Sequence, residues 1–430
     1  MFTFLLIWTG CILIYSFSRK WENLGNVDFW LLVWWALVLG ITITTNVKWI
    51  HKPSIISYGY FTLCFVIFYV GRVIGKKTVQ ICDAKEEDIP ICQLHIYKYI
   101  AFIGLAMFVF DYVRINGLGY STRTYEISFI GALGNLVIPI LLPLGLYELG
   151  NGIKNVNKLS LGGIVSLLGY ALPGLISHGR ESVVFVGIAA VAVISMCMIK
   201  SGKGLSIAPK YRKYIVMCGL AGALIFYFLL QRTRVRFTAN DVSTFVYYHP
   251  LPESSKREVQ SWGVFSTLYY ALAWYFGTQL PYLEFILRRY TGPFVIGAYE
   301  FNIISRRFPA SWKLNTAVVS SAQRVLFKKY GESFNALWPG FAGTLIFDFG
   351  KIGTIIVILF IGIFVGKIIE KSKRTNSLRY QVEVALLCMM TFTTIQMGPL
   401  FQYNVWSTLM WWSLMFGNKR IRFTLNGLDM

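Results

Sequence analysis

The chain has 430 residues, of which 55% are hydrophobic and only 14% are charged, whereas soluble globular domains carry about 25% charged residues. Apolar runs of about 18 to 22 residues recur, each long enough to cross a membrane as a helix, and the alternating pattern of an outer-membrane β-barrel is absent. The net charge of +21 is explained by basic cytoplasmic loops and by binding of anionic lipid or phosphate, so we predict membrane lipids and no nucleic acid as partners.

Eleven membrane spans are predicted in an all-α polytopic protein. The first lacks the basic start and the cleavage-site pattern of a signal peptide, and we interpret it as a span. The predicted spans are residues 2–17, 27–46, 55–74, 97–116, 129–149, 159–177, 182–200, 213–231, 345–367, 379–397 and 403–418.

The basic residues in the short loops predict the orientation of the chain in the membrane. The most basic short connections follow the seventh and ninth spans, and the positive-inside rule places both in the cytoplasm. This arrangement puts the N-terminus outside and the C-terminus inside. The polar loop with Cys82, Cys92 and His95 has a spacing that matches no common zinc motif, so we predict no metal site and no cofactor.

Charged residues interrupt an apolar region in the stretch LISHGRESVVFVG. His178, Arg180 and Glu181 lie at the predicted outer turn between the sixth and seventh spans, and a helix is expected to start near Glu181. An arginine beside a helix start is a candidate anion site. The alternative is an arginine that reaches lipid phosphates from the membrane boundary.

The large segment from residue 231 to 341 is predicted to lie outside the membrane. Its apolar part, residues 263–287, is interpreted as a re-entrant or interfacial helix, because a full crossing would move the later basic loops outside. The predicted domains are therefore an N-terminal bundle of about eight spans at 1–230, the outer segment at 231–341, and a C-terminal bundle of about three spans at 342–430.

The outer segment is basic, with thirteen Lys and Arg residues against six Asp and Glu residues. Arginine binds phosphate through two parallel hydrogen bonds, which favours a diphosphate ligand. Attraction to anionic lipid headgroups is the alternative. The arginines in paired or alternating runs include Arg232, Arg234, Arg288, Arg289, Arg306 and Arg307.

Two acidic residues at predicted helix ends are also candidates. Asp348 follows a glycine-rich stretch, where it could act as a general base, orient an arginine or cap a helix. Asp111 and Arg114 are three residues apart and are predicted to pair on one helix face.

Two short pieces and the order of features resemble the bacterial Wzy family of O-antigen and oligosaccharide repeat-unit polymerases. The pieces are SHGRES, residues 177–182, and NALWPGFAGTLIFDFGKIG, residues 335–353. The resemblance implies a GT-C-like, metal-independent glycosyltransferase in the bacterial inner membrane. It would join undecaprenyl-diphosphate-linked repeat units at the periplasmic face, with lipid-linked donor and acceptor glycans and a chain-length regulator as partners.

The resemblance also assigns roles to the candidate residues. Arg180 and the loop arginines would stabilise the diphosphate leaving group together with His178, and Asp348, His249 and Glu181 are candidates for the base that takes the acceptor proton. An O-antigen ligase is the alternative of the same class. A flippase or other transporter is the alternative of another class, although the chain shows no repeated halves.

Overall fold

The structure is a computed structural model that describes residues 24–44, 53–79, 91–117, 127–156, 158–176, 181–200, 276–301, 305, 309, 311–312, 316–329, 340–375, 377–395 and 398–416. These segments are mostly helical and contain no β-strand, which confirms the all-α prediction for them. Their α-helices are α1 (Val27–Thr44), α2 (Ile55–Lys77), α3 (Ile91–Asn116), α4 (Phe129–Val137), α5 (Leu141–Asn151), α6 (Leu161–Ile176), α7 (Glu181–Lys200), α8 (Gln279–Arg289), α9 (Thr316–Lys329), α10 (Gly340–Thr375), α11 (Leu378–Thr393) and α12 (Tyr403–Phe416).

Nine of the eleven predicted spans coincide with described helices, and residues 2–17 and 213–231 lie outside the described part of the chain. Several helices suggest a membrane-embedded protein by length and composition. The segments long and apolar enough to cross a membrane are Ile55–Lys77, Leu94–Asn116, Phe129–Asn155, Glu181–Met198 and Gly340–Thr375.

Helix α10 carries a row of exposed apolar side chains. Ile352, Ile356, Phe360 and Phe364 follow one another at intervals of one turn, and each is more than half exposed. Soluble surfaces rarely present so continuous an apolar row. This face is therefore expected to contact lipid.

Two helices are interrupted where single spans were predicted. Residues 129–149 form α4 and α5, joined by the 3₁₀ turn Ile138–Ile140, because Pro139 lacks the N–H that a continuous helix needs. Helix α10 is broken at Gly350, whose φ of 69° and ψ of 179° are not helical.

The chain divides into two compact units. The first comprises Met1–Val79, Lys203–Lys367 and Thr391–Phe401, and the second comprises Gln80–Gly202, Ile368–Met390 and Gln402–Met430. The predicted domain boundaries at residues 230 and 341 concern membrane topology, which this division by contacts does not address.

The short helix α8 lies in the core of the first unit. It packs against α1 and α2, and its residues from Gln279 to Leu287 are all buried. At 11 residues it is too short to cross a membrane. Because residues 263–275 lie outside the described part, the re-entrant path of this segment stays a prediction.

Glycines allow close packing of α2 on α10 in the first unit. Gly71 and Gly75 on α2, and Gly362 and Gly366 on α10, form two G-x-x-x-G pairs. An added Cβ at any of them would overlap backbone atoms of the other helix. Such pairs let helix backbones approach closely in membranes.

Partly buried ion pairs join helices within each unit. In the first unit, Arg72 of α2 binds Asp28 of α1 at 2.6 Å. In the second unit, Lys98 of α3 donates to both carboxylate oxygens of Glu148 of α5, at 3.0 and 2.9 Å. The four side chains are largely shielded from solvent, and paired burial of this kind avoids an isolated charge.

Candidate functional site

Four of the predicted site residues lie in the described part of the chain: Glu181, Arg288, Arg289 and Asp348. The other predicted site residues lie outside it. These are His178, Arg180, Arg232, Arg234, His249, Arg306 and Arg307.

Arg288 belongs to a group of polar residues around one carboxylate at the start of α2. We call this group the Glu284 clamp (Ser54, Ser57, Glu284 and Arg288). The Glu284 carboxylate accepts hydrogen bonds from Ser54 N at 3.1 Å, Ser54 Oγ at 2.8 Å and Ser57 N at 3.3 Å. It also pairs with Arg288 Nε, one turn later on α8. Ser54 Oγ in turn accepts from Ile56 N and caps α2.

The clamp keeps Glu284 ionised although the residue is only 2% exposed. Burial opposes ionisation, but the hydrogen bonds from Arg288, Ser54 and Ser57 outweigh it and lower the pKa of the Glu284 carboxyl group to about 2. The carboxylate is therefore a fixed negative charge that orients Arg288.

The clamp orients Arg288 and leaves much of its guanidinium accessible. Nε faces Glu284, one terminal nitrogen donates to Ser54 Oγ at 3.3 Å, and the side chain is still 51% exposed. Arg289 follows directly and is also exposed. Two adjacent arginines, one of them oriented by a carboxylate, are well suited to bind a phosphate or diphosphate group.

Asp348 is fully buried and holds the chain between α8 and α9. Its Oδ1 accepts from Tyr299 N at 2.7 Å, and its Oδ2 accepts from Glu300 N at 3.0 Å. Its backbone carbonyl accepts from Ile296 N at 2.9 Å. The sequence left open a general base, an acid that orients an arginine, and a helix cap. The carboxylate binds backbone N–H groups as a cap does, but they belong to a turn and not to a helix start.

The turn that Asp348 holds has an unusual backbone. Ile296 has a φ of 48° and Gly297 a φ of 86°. A β-branched residue rarely adopts this left-handed conformation, which costs about 1 to 2 kcal/mol. The hydrogen bonds to Asp348 offset that cost, so Asp348 determines the path of the chain after Arg289.

The structure brings Arg288 and Asp348 into one region of the first unit. Tyr290, two residues after Arg288, packs edge-on against Phe347, the neighbour of Asp348, with ring centroids 4.9 Å apart. The Asp348 carboxylate also accepts a hydrogen bond from the backbone N–H of Glu300. Glu300 is a second buried acid, and the sequence analysis did not select it.

Glu181 lies in the second unit, where it begins α7 as predicted. Its side chain is partly buried at the start of that helix. Arg180, its neighbour, precedes the described residues of α7.

Asp111 and Arg114 pair as predicted, at 2.8 Å. The structure adds Ser128, whose N–H and Oγ–H donate to Asp111 at 2.7 and 2.6 Å, and whose Oγ caps α4. We call these three residues the Asp111 clamp. It has the same construction as the Glu284 clamp in the other unit.

Sequence reasoning missed Ser54, Glu284 and Ser128. Serine before an apolar helical run is a helix-start signal, and glutamate four residues before arginine is a helical pairing signal. Both signals were present, but neither tells which helix start meets which carboxylate.

The chain matches no protein-family profile, no curated protein and no solved structure.

Proposed function

We propose that the protein polymerises undecaprenyl-diphosphate-linked oligosaccharide repeat units, as a GT-C-like glycosyltransferase at the periplasmic face of a bacterial inner membrane. The observation that carries the proposal is the orientation and accessibility of Arg288. This residue is a predicted diphosphate ligand, Glu284 orients it, and about half of its side chain is accessible. The apolar helices of the chain are compatible with a lipid-linked substrate.

The reaction requires charge stabilisation on a lipid diphosphate. The acceptor hydroxyl attacks the anomeric carbon of the donor glycan, the bond from that carbon to the diphosphate breaks, and the diphosphate leaves with the electron pair. Arg288 and Arg289 bind the departing charge. Arginines that are oriented before the reaction stabilise such a charge without reorganisation.

A base takes the proton of the acceptor hydroxyl. The candidates are His249, Glu181 and Asp348. Both carboxylate oxygens of Asp348 accept hydrogen bonds from backbone N–H groups, which supports a positioning role for Asp348 rather than that of the base.

The test replaces Arg288 by lysine, which keeps the charge but not the planar fork of donors. We expect the yield of lipid-linked polymer to fall at least about tenfold with protein abundance unchanged. Purified protein is incubated with radiolabelled repeat-unit lipid, and the chain-length ladder is read on a gel. The matched control is Arg374→Lys, which changes an arginine paired with a glutamate one turn earlier on α10.

A wild-type ladder from the Arg288→Lys, Arg289→Lys double variant would overturn the proposed role of this pair. The same assay in proteoliposomes separates the alternatives. A ligase transfers glycan only when lipid A core is added, and a transporter moves the labelled lipid across the bilayer without extending it.

A further inference from the structure

An apolar groove lies on the surface of the second unit, along α4. Its volume is about 300 Å³, and its walls include Ile127, Phe129, Leu133, Leu136 and Tyr403. Phe129, Leu133 and Leu136 are spaced by four and three residues and therefore share one face of the helix.

Tyr403 of α12 forms the second wall of the groove, beside the helix break at Pro139. Proline has no N–H, so the Asn135 carbonyl loses its helical partner. The Tyr403 hydroxyl donates to that carbonyl at 3.3 Å, and Trp411 Nε1 donates to the Leu136 carbonyl at 2.8 Å. These two hydrogen bonds hold α12 beside α4.

The groove opens away from the protein. Phe129 is 77% exposed and Leu133 is 41% exposed, and both belong to the apolar segment Phe129–Asn155, which is long enough to cross a membrane. In a bilayer, the neighbour of such a segment is hydrocarbon rather than water. A lipid chain is therefore the matching occupant.

A cationic group lies near one end of the groove. Ile127 and Phe129 flank Ser128, which binds Asp111, and Asp111 pairs with Arg114. The Arg114 side chain is 52% exposed. One terminal nitrogen of the guanidinium donates to Asp111, and a guanidinium keeps its positive charge and has four further N–H donors.

We infer that the groove binds one acyl chain of an anionic phospholipid, whose phosphate contacts Arg114. The groove supplies the contact with the chain, and the guanidinium selects the charge of the headgroup. This site does not depend on the proposed function.

Native mass spectrometry tests the inference. The full chain is released from detergent that contains phosphatidylglycerol or phosphatidylcholine, and the amount of lipid that it retains is measured. We expect Arg114→Gln to lower retention of phosphatidylglycerol roughly fivefold and retention of phosphatidylcholine much less, because the cationic choline group offsets the charge of its phosphate. Leu133→Asn should lower retention of both lipids. The matched controls are Lys77→Gln at the end of α2 and Leu168→Asn on α6, which change an exposed cation and an exposed leucine that do not line the groove.

Equal losses in the control variants, or no loss in the groove variants, would overturn the inference. Stronger competition by farnesyl diphosphate than by phosphatidylglycerol would overturn it as well, because the occupant would then be an isoprenoid. Arg114→Lys keeps the charge and should keep the preference for phosphatidylglycerol, which separates loss of the cation from damage to the fold.

Discussion

Glu284 and Asp111 perform the same task in the two units. Each carboxylate binds the N–H and the hydroxyl of a serine that caps a helix, and each pairs with an arginine on its own helix. The carboxylate satisfies donors that a helix start leaves without partners. It also orients a guanidinium, so one acid supports both the fold and a binding group.

Glu284→Gln should lower the stability of the protein at neutral pH by roughly 3 kcal/mol, because it removes a charge that holds Arg288 and two serine N–H groups. The carboxyl group has a pKa of about 2 in the folded protein, against 4.5 ordinarily. Its contribution is therefore complete above pH 4.5 and is lost as the pH falls from there toward 2. Thermal unfolding in one detergent at pH 6 and pH 3 measures the difference between wild type and variant.

The difference in unfolding temperature should be large at pH 6 and smaller at pH 3. An equal difference at both values would mean that the charge of Glu284 contributes nothing. Arg289→Gln is the neighbouring control, since it removes a charge from the same helix end without changing the clamp.

Asp348 illustrates how one residue holds a turn that is distant in the sequence. It lies two residues before the break at Gly350 and binds a turn that includes Ile296 and Glu300. The sequence showed only an acid in an apolar segment, and its partners lie about fifty residues earlier. A carboxylate that receives several backbone N–H groups is fixed in place, which suits positioning better than proton transfer.

At the scale of helices, α10 has two parts with different functions in the fold. Its 36 residues would extend about 54 Å as one straight helix, which exceeds a hydrocarbon thickness of about 30 Å. The break at Gly350 separates a buried first part, which includes Phe347 and Asp348, from the apolar part that packs on α2. The glycine pairs make that packing close.

Gly75→Ala should destabilise the protein by about 1 to 3 kcal/mol, because its new methyl group would overlap the backbone of Ile363 on α10. Gly59→Ala, on the same helix, meets no atom within 4 Å. It should leave stability unchanged or raise it by up to about 1 kcal/mol, as expected for alanine in place of glycine in a helix. Unfolding temperatures measured in one detergent compare the two variants.

Similar effects of the two substitutions would contradict the close approach of α2 and α10. A loss at Gly59 larger than the loss at Gly75 would show that the exposed face of α2 carries a contact.

At the scale of the whole molecule, the described residues combine exposed apolar side chains with ion pairs between helices, a combination that is compatible with a bilayer. Apolar side chains face outward on helices such as α10, while Arg72 and Lys98 lie within the units and are paired. A charge is tolerated in hydrocarbon only when it is paired or reaches the interface.

The predicted orientation places the start of α2 outside and its end in the cytoplasm. We expect Ile55→Cys to react with a membrane-impermeant maleimide on intact cells, and Thr78→Cys to react only after permeabilisation, in a protein whose native cysteines are replaced. Both positions are exposed. The reverse result would invert the orientation, and labelling of both positions from one side would show that α2 does not cross.

The sequence by itself determined the helical class and the positions of most helices. In lipid, a segment must make its backbone hydrogen bonds internally, so a long apolar run is expected to form a helix. The pairing of Asp111 with Arg114 was predictable for a similar reason, because residues three apart on one helix are neighbours.

Only the tertiary structure decided which groups meet across the chain. Ser54 binds Glu284, 230 residues later, and Tyr299 binds Asp348 across 49 residues. Likewise, the sequence showed an apolar stretch at residues 263–287, but packing against α1 and α2 determined that its last part is a short buried helix. Hydropathy describes the preference of a segment for lipid or protein, whereas hydrogen bonds between distant segments depend on how helices pack, which no local pattern encodes.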